Sequence, residues 1–439
     1  MSLKVLKFGG SSLSDANQFQ KVAAIVRAEE ERRYIVPSAP GKRYDNDTKV
    51  TDLLYACHDA ATKGDGFDEV FSRIEKRFNS IITDLGLTLD LSAEFTAIRR
   101  NILDGASVDY AASRGEYLSG MVLASLLDFP FVDAAELIFF TASGEVDDER
   151  TYEAFYELTK KYDRAVIPGF YGRAVDGSVK TFSRGGSDIT GSIVARGVRA
   201  DIYENWTDVS GFLVANPRIV DHPRSIDVVT FRELRELAYM GASVLHEDAV
   251  LPVKAANIPI NIRNTNEPEH PGTLIINNTR AASSSPITGI AGKRGFSIIH
   301  IEKDGMNKEV GFTRRALSVL EKHHVSFEHL PSGIDTMGFI IQTEALAGQG
   351  ETIAREIGKA VDADEVELIS GLALIAVVGR GMVRAKGMAA RIFSSIARAN
   401  INIRMIDQGS SELNIIIGVD EYDFRSAMNA IYAEFFPQD

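Results

Sequence analysis

The sequence predicts an α/β protein, a mostly parallel sheet between helices, followed by a tail of two small β-α-β-β-α-β units. Short apolar runs that end in glycine alternate with helical stretches, the mark of a parallel sheet covered on both faces. A polar stretch, Ala281-Ala282-Ser283-Ser284-Ser285-Pro286, then interrupts the alternation. Beyond it the chain repeats itself: laying Arg315 on Arg391 sets an offset of 76 residues that also pairs Gly311 with Gly387, Leu320 with Ile396, Val325 with Ile401 and Gly333 with Gly409. Two copies suit closed units better than a solenoid, which needs at least three repeats.

The first element is Leu3–Phe8, a strand that empties into Gly9-Gly10-Ser11-Ser12 with a helix behind it. Two glycines let backbone amides converge on an anion, and the following helix N-terminus adds partial positive charge. Ser12 or Ser14 is expected to cap that helix, with Asp15 in its first turn and Phe19, Val22, Ala23 and Val26 on one face. Tyr34-Ile35-Val36 reads as a second strand running into the loop Pro37–Lys42, and Tyr44–Asp47 as a polar, mobile segment. A helical pattern opens at Thr51 and continues through Asp104. Ser113-Arg114-Gly115-Glu116 is expected to precede a helix striped by Leu118, Met121, Val122 and Leu126. Phe131–Asp133, Glu136–Phe140 and Ala165–Phe170 read as strands. Ser183–Asp188 then leads into a helix to about Arg199, and Ile202–Trp206 into another strand. In such folds ligands sit at the carboxyl ends of the strands, where these loops lie.

The 439 residues suggest two or three domains, at roughly 150 residues each. A net charge of −13 with no basic run excludes nucleic acid as a partner. Cys57 is the only cysteine, so neither a disulfide nor a thiolate metal cage is available, and no stretch is long and apolar enough to span a membrane. The expectation is a cytoplasmic protein. His323, His324 and His329 match no zinc spacing and are read as solvated side chains at a helix end.

Four loops would converge on one sheet edge: Lys7 to Ser12, Ser38 to Lys42, Arg114 to Glu116, and Arg184 to Asp188. Phosphoryl transfer asks for aligned reactants and for cations around the moving group. Lys7 supplies a point charge, and the Gly9-Gly10 and Gly185-Gly186 amides supply donors. Arg184 offers a fork that matches a carboxylate, and Glu116 a counter-charge for an ammonium. A cation site beside an anion site is what an amino-acid substrate requires. For Glu116 alone, the plain alternative is compensation of a helix dipole.

The runs Lys7-Phe8-Gly9-Gly10-Ser11-Ser12, Gly115-Glu116, Gly169-Phe170-Tyr171-Gly172, Ser183-Arg184-Gly185-Gly186-Ser187-Asp188 and Trp206-Thr207-Asp208-Val209, with the duplicated tail, make the chain resemble the aspartate kinases. The resemblance covers nearly the whole chain. It implies the amino-acid kinase fold over residues 1–282 and two ferredoxin-like ACT domains, the first over 286–362 and the second over 363–429. The last strand of the first ACT domain would come from about 430–439. It further implies ATP-dependent phosphorylation of the β-carboxylate of L-aspartate with Mg²⁺, the first step toward lysine, methionine and threonine. By resemblance, Lys7 and Asp188 would be catalytic, and Ser38, Thr51, Glu116, Phe170 and Arg184 would hold aspartate. Lys7, Gly9, Gly10, Ser11, Thr207, Asp208 and Arg218 would hold the nucleotide; no dedicated metal-ligand residues are assigned.

Two positions depart from the family's usual pattern: Asn216 stands where an aspartate is usual, and Ser243 where a lysine is usual. Both bear on the nucleotide side of the site. The tail implies feedback by an amino acid, with lysine favoured, and Gly311, Phe312, Phe327 and Glu328 as effector contacts; core packing and capping is the competing account of these four. A homodimer or a dimer of dimers is expected. The alternatives are a catalytically weak ACT-domain amino-acid sensor and a kinase for glutamate or acetylglutamate, which would have no reason to carry two ACT units.

Overall fold

A computed structural model describes residues 2–183, 185–241, 245, 247–277 and 285–437. Contacts divide the chain into two compact units. The first comprises Met1–Phe212, Ser225–Phe231 and Val244–Thr279, the second Leu213–Arg224, Arg232–Ser243 and Arg280–Asp439. A single boundary near residue 282 therefore does not describe the division. Two earlier segments belong with the tail because they pack and bond there: the Ile290 amide donates to the Val214 carbonyl at 2.7 Å, and Gly289 lies against Leu237.

In the first unit the strands are β1 (Lys4–Phe8), β2 (Arg32–Pro37), β3 (Ala165–Val166), β4 (Tyr171–Arg173), β5 (Val179–Thr181), β6 (Ile202–Thr207), β7 (Val228–Thr230), β8 (Ile260–Asn264) and β9 (Thr273–Ile276). Seven of them form a sheet in the order β3-β2-β1-β6-β8-β9-β7, parallel except between β8 and β9, while β4 and β5 form a separate hairpin. The carboxyl ends of β1, β2, β3 and β6 thus share one edge, as a parallel sheet requires. Helix Ala16–Arg27 begins at Asp15, whose Oδ1 accepts the Gln18 amide at 3.0 Å, so Asp15 rather than either serine is the cap. The helical stretch after Thr51 is three helices, Val50–Lys63, Phe67–Asp84 and Ser92–Leu103, separated where Gly64, Gly66 and Gly86 take positive φ. Phe131–Asp133 and Glu136–Phe140 are not strands. Asp133 accepts the Ala135 amide and turns the chain into a short 3-10 helix, leaving only single bridges at Phe131, Phe139 and Phe140.

The second unit holds one antiparallel sheet of β10 (Gly289–Glu302), β11 (Thr336–Gln342), β12 (Glu365–Val378), β13 (Ile403–Asp407) and β14 (Asn414–Asp420), in the order β11-β10-β12-β14-β13. The repeat is visible in the fold. Helix Phe312–Lys322 recurs as Met388–Arg398, each capped by a left-handed glycine, Gly311 (φ 81°) and Gly387 (φ 83°). The bends in the long strands β10 and β12 fall at the matching Gly295 (φ 87°) and Gly371 (φ 83°). Each long strand serves both copies. Phe296–Glu302 lies between β11 and the first half of β12, whereas Gly289–Lys293 pairs with Leu374–Val378 beside β14. The strand expected at 430–439 is absent from its described part, 430–437: Phe424–Phe435 is a helix that buries Phe424, Ala427, Met428, Ile431, Tyr432 and Phe435 at helical spacing. The fourth strand of the second copy is supplied by the start of β10. Among the described residues no helix is long and apolar enough to cross a membrane.

Candidate active site

Lys7 and Asn205 are directly opposed in the parallel pairing of β1 with β6, so their side chains leave the same face of the sheet. Helix Gly186–Gly197 covers that face and carries Asp188 in its first turn. The Lys7 Nζ lies 2.6 Å from Asp188 Oδ1, and the same oxygen accepts the Asn205 Nδ2 at 2.8 Å. Below them the Tyr203 hydroxyl donates to the Asp188 carbonyl at 3.1 Å. Gly191 makes this approach possible, because a Cβ there would strike the Tyr203 ring 2.7 Å away. Lys7 is buried, and its partner is the more exposed member of the pair.

Two loops close over this edge. Gly10 and Gly41 touch backbone to backbone, with the Gly41 amide donating to the Gly10 carbonyl at 2.8 Å; a Cβ on Gly41 would lie 2.6 Å from the Gly10 carbonyl carbon. Gly9 donates its amide to the Trp206 carbonyl at 3.0 Å, so that amide is not available to a phosphate, contrary to the role expected of it. Gly10 and Ser11 open the 3-10 turn that follows. The segment Tyr44–Asp47, expected to be mobile, is pinned. Buried Asp47 accepts Arg77 Nη2 at 2.5 Å and Arg43 Nε at 2.8 Å, and Arg77 reaches the Ser14 carbonyl at 2.7 Å. The Arg43 fork, with Arg77 behind it, holds the Asp47 carboxyl well below the usual carboxylate range against the cost of its burial.

Glu116 is not at a helix start. It sits in the middle of Val108–Leu127 with Ser113, Arg114 and Gly115 also buried, which removes the helix-dipole account. Gly115 lets the helix approach the Ala39 loop, since a Cβ there would lie 2.6 Å from that of Ala39. Burial pushes the Glu116 carboxyl up to about 8, opposed by the facing Ala39 amide, its own amide and the charges of Arg114 and Lys7. Its Oε2 is buried without a hydrogen-bond partner among the described residues. Arg114 itself is caged by the rings of Tyr110, Tyr117 and Tyr171 at 4.6, 4.6 and 5.2 Å.

The remaining expected residues divide. Ser38, at the end of β2, donates its amide to the Phe8 carbonyl at 3.0 Å, and Thr51 lies in the first turn of Val50–Lys63. Phe170 takes an uncommon positive φ of 81°, held by its amide on Thr190 Oγ1 at 2.9 Å, and lies against Gly186 at the start of the Asp188 helix. Thr207 ends β6, with its hydroxyl 3.2 Å from Asp208. Arg218 belongs to the second unit, where its amide is held by Asn216 Oδ1 at 2.9 Å, so the Lys7 cluster is built without it. The Asn216 side chain serves as a turn acceptor there, a task an aspartate would do equally well. Arg184 and Ser243 lie outside the described residues.

A model of the amino acid kinase family matches residues 2–264, and an ACT domain model matches residues 375–435. Aspartokinase 3 of Bacillus subtilis is 40% identical over 450 residues, 99% of each chain. The chain belongs to the aspartate kinases. A solved aspartate kinase of Clostridium acetobutylicum shares 51% identity at a TM-score of 0.91, with 99% of each chain covered. Aspartokinase III of E. coli, solved in complex with aspartate and ADP in its R-state, shares 25% identity at a TM-score of 0.70 over 99% of this chain and 100% of that one. An aspartate kinase is an enzyme that phosphorylates aspartate, which agrees with a buried cation and a buried carboxyl placed around one sheet edge.

Within this aspartate kinase, Asn205, Ala39, Arg77 and the Arg114 cage were missed from sequence. Asn205 had a usable signal, since once β1 and β6 are paired in parallel it falls opposite Lys7. Of the four expected effector contacts, Phe312 is buried in the core of the first repeat and Gly311 is the left-handed cap of its helix. Phe327 is partly exposed, edge-on to Phe339 at 6.0 Å, and Glu328 accepts Gln342 Nε2 at 2.7 Å. His323 and His329 are paired with Glu356 at 3.1 Å and Asp407 at 2.6 Å rather than simply solvated. Among the described residues no cluster of three metal-ligating side chains occurs.

Proposed function

We propose that the chain transfers the terminal phosphoryl group of ATP to the β-carboxylate of L-aspartate. In this reading Glu116 takes the substrate ammonium and Arg184 its α-carboxylate, with Ser38, Thr51 and Phe170 bounding the pocket. The observation that carries it is the Glu116 carboxyl: buried, lacking a partner for one oxygen, and raised in pKa until a cation arrives to pair with it. Lys7 then screens the repulsion between an attacking carboxylate and a polyphosphate, the largest electrostatic obstacle to this reaction. Gly10 and Ser11 face the phosphates, and Thr207 and Asp208 border the nucleotide at the end of β6. Mg²⁺ takes one or two carboxylates and completes its shell with phosphate oxygens and water, which suits a site with Asp188 and Asp208 as its acidic groups. Bound there it would add positive charge to the phosphates.

The ACT match and the duplicated second unit support feedback by an amino acid, with lysine as the effector and Gly311, Phe312, Phe327 and Glu328 at or beside its seat. The product would serve lysine, methionine and threonine synthesis, in a cytoplasmic homodimer or dimer of dimers. Incubation with ATP, Mg²⁺, aspartate and hydroxylamine should yield aspartyl hydroxamate, suppressed by lysine. Absence of product above a Lys7→Met control would remove the catalytic reading and leave the amino-acid sensor. Glutamate outcompeting aspartate would move the substrate.

A further inference from the structure

We propose that Asn205 is a positioning residue for the phosphoryl-transfer cation: it holds Asp188 in place, and Asp188 holds Lys7. The inference rests on Lys7 being that cation. Asp188 Oδ1 accepts Lys7 at 2.6 Å and Asn205 at 2.8 Å. A carboxylate oxygen only accepts, so the atom facing it must be the amide nitrogen of Asn205, which fixes the orientation of the side chain. Asn205 is buried, and its nitrogen also lies 3.5 Å from the Tyr203 hydroxyl.

Lys7 Nζ holds Asp188 while already lying on the Gly9 side of the site, where a Cβ on Gly9 would be 3.6 Å away. An ammonium has three donors, so one can stay on Asp188 while another serves a phosphate. The direction left to that second donor depends on where Asp188 Oδ1 is held, and Asn205 donates to the same oxygen. Loss of that donor leaves a partly buried carboxylate less satisfied and less fixed, and the ammonium with it. Asn205 does not touch the aspartate pocket, so the consequence belongs in turnover rather than in aspartate binding.

Kinetics of the full-length enzyme carrying Asn205→Leu or Asn205→Asp, beside Lys7→Met, test this. Leucine keeps the volume and removes the donor; aspartate keeps the shape and turns an acceptor on Asp188. We expect kcat to fall about tenfold in Asn205→Leu and further in Asn205→Asp, with KM for aspartate within about twofold of the parent. A purely structural role would move both parameters and would not rank the variants by what they present to Asp188. Parental kcat in Asn205→Leu, or parallel loss in kcat and KM, overturns the proposal. An active Lys7→Met instead overturns the reading beneath it, whatever the Asn205 variants do. If the variants do not fold, a structure of the unaltered enzyme with a non-hydrolysable ATP analogue decides. Asn205 and Lys7 Nζ should both remain on Asp188 with the analogue bound; Asn205 leaving Asp188, or Lys7 reaching the phosphates only after leaving it, overturns the proposal.

Discussion

Among the described residues two glutamates are buried in the first unit, and their surroundings differ in kind. Glu204, on β6, is satisfied at both oxygens: Oε2 accepts Arg32 Nε and the Trp206 indole, each at 3.0 Å, and Oε1 accepts Arg32 Nη2 at 3.3 Å with Lys4 at 3.6 Å and Arg263 at 3.8 Å. Arg32 and Arg263 also lie over Trp206 at 5.3 and 4.7 Å, and Phe8 stacks on the same indole. Glu116 has one oxygen without a partner and a raised carboxyl. Burial alone does not separate a scaffold charge from a working one. What separates them is whether the protein itself completes the hydrogen bonding. Glu116 comes from the helix Val108–Leu127, whereas Lys7 and Asn205 leave one face of β1 and β6, and Leu6 with Glu204 and Phe8 with Trp206 the other.

Lys7→Met should give the largest effect, because it removes the cation from the unsaturated side. We expect kcat to fall by about a thousandfold or more, about 4 kcal/mol of transition-state stabilisation, with the fold intact by circular dichroism. A residual rate within tenfold of the parent would place the screening charge elsewhere.

Glu204→Leu probes the saturated side, and its loss should appear in stability instead. Removing Glu204 takes from Arg32 its fully buried carboxylate partner and leaves it only the partly exposed Glu29 at 2.8 Å, a loss of about 3 kcal/mol, the low end for breaking a buried pair. Trp206 is the chain's only tryptophan and lies on the cluster, so its fluorescence during urea unfolding reads this event directly. Below the transition, kcat should stay within about threefold of the parent. Lost turnover in a folded Glu204→Leu protein would erase the distinction between the two faces.

Glu116→Gln should raise KM for aspartate about 30-fold or more, since truncating one partner of a desolvated charge pair costs about 2 kcal/mol at the least. The pH dependence sharpens this. With the carboxyl raised to about 8 in the empty enzyme, binding an ammonium must release a proton below that pH. Apparent affinity therefore rises with pH toward about 8, by at most about tenfold per unit, and Glu116→Gln should flatten the profile. Stability has the opposite sign. The folded state holds this proton more tightly than the unfolded chain does, so the contribution is full below about 4.5 and is lost as pH rises through about 8. Stability of the ligand-free enzyme should fall across that window and aspartate should restore it.

The sequence made the Lys7-to-Ser12 turn legible because strand, glycine loop and helix are local features, and the duplicated tail legible because matching glycines recur at one offset. The elements that failed depend on contacts between distant segments. Glu116 looked like a helix start because glycine and arginine precede it, yet tertiary burial carries the helix straight through them. The segment Tyr44–Asp47 reads as mobile because one of the two arginines that pin Asp47, Arg77, is 30 residues away on the helix Phe67–Asp84. Asn205 gains its role only from its register with Lys7, and the C-terminal helix was mistaken for a strand because the strand that replaces it enters from the other end of the second unit.

Lys4→Met should give the smallest effect, and it tests where the saturated cluster ends. Lys4 is paired with Glu29 and lies 3.6 Å from Glu204, but its side chain is about one-fifth exposed and Glu29 about one-third, so water and salt screen both contacts. Glu204 keeps both Arg32 bonds and the indole without it. The loss should be at most about 1 kcal/mol by urea unfolding and should shrink further at high ionic strength. A loss approaching that of Glu204→Leu would mean that Lys4 is needed to neutralise the cluster and that its Arg32 bonds do not suffice. The contrast with Glu116 would then rest on net charge at each carboxylate rather than on the count of satisfied oxygens.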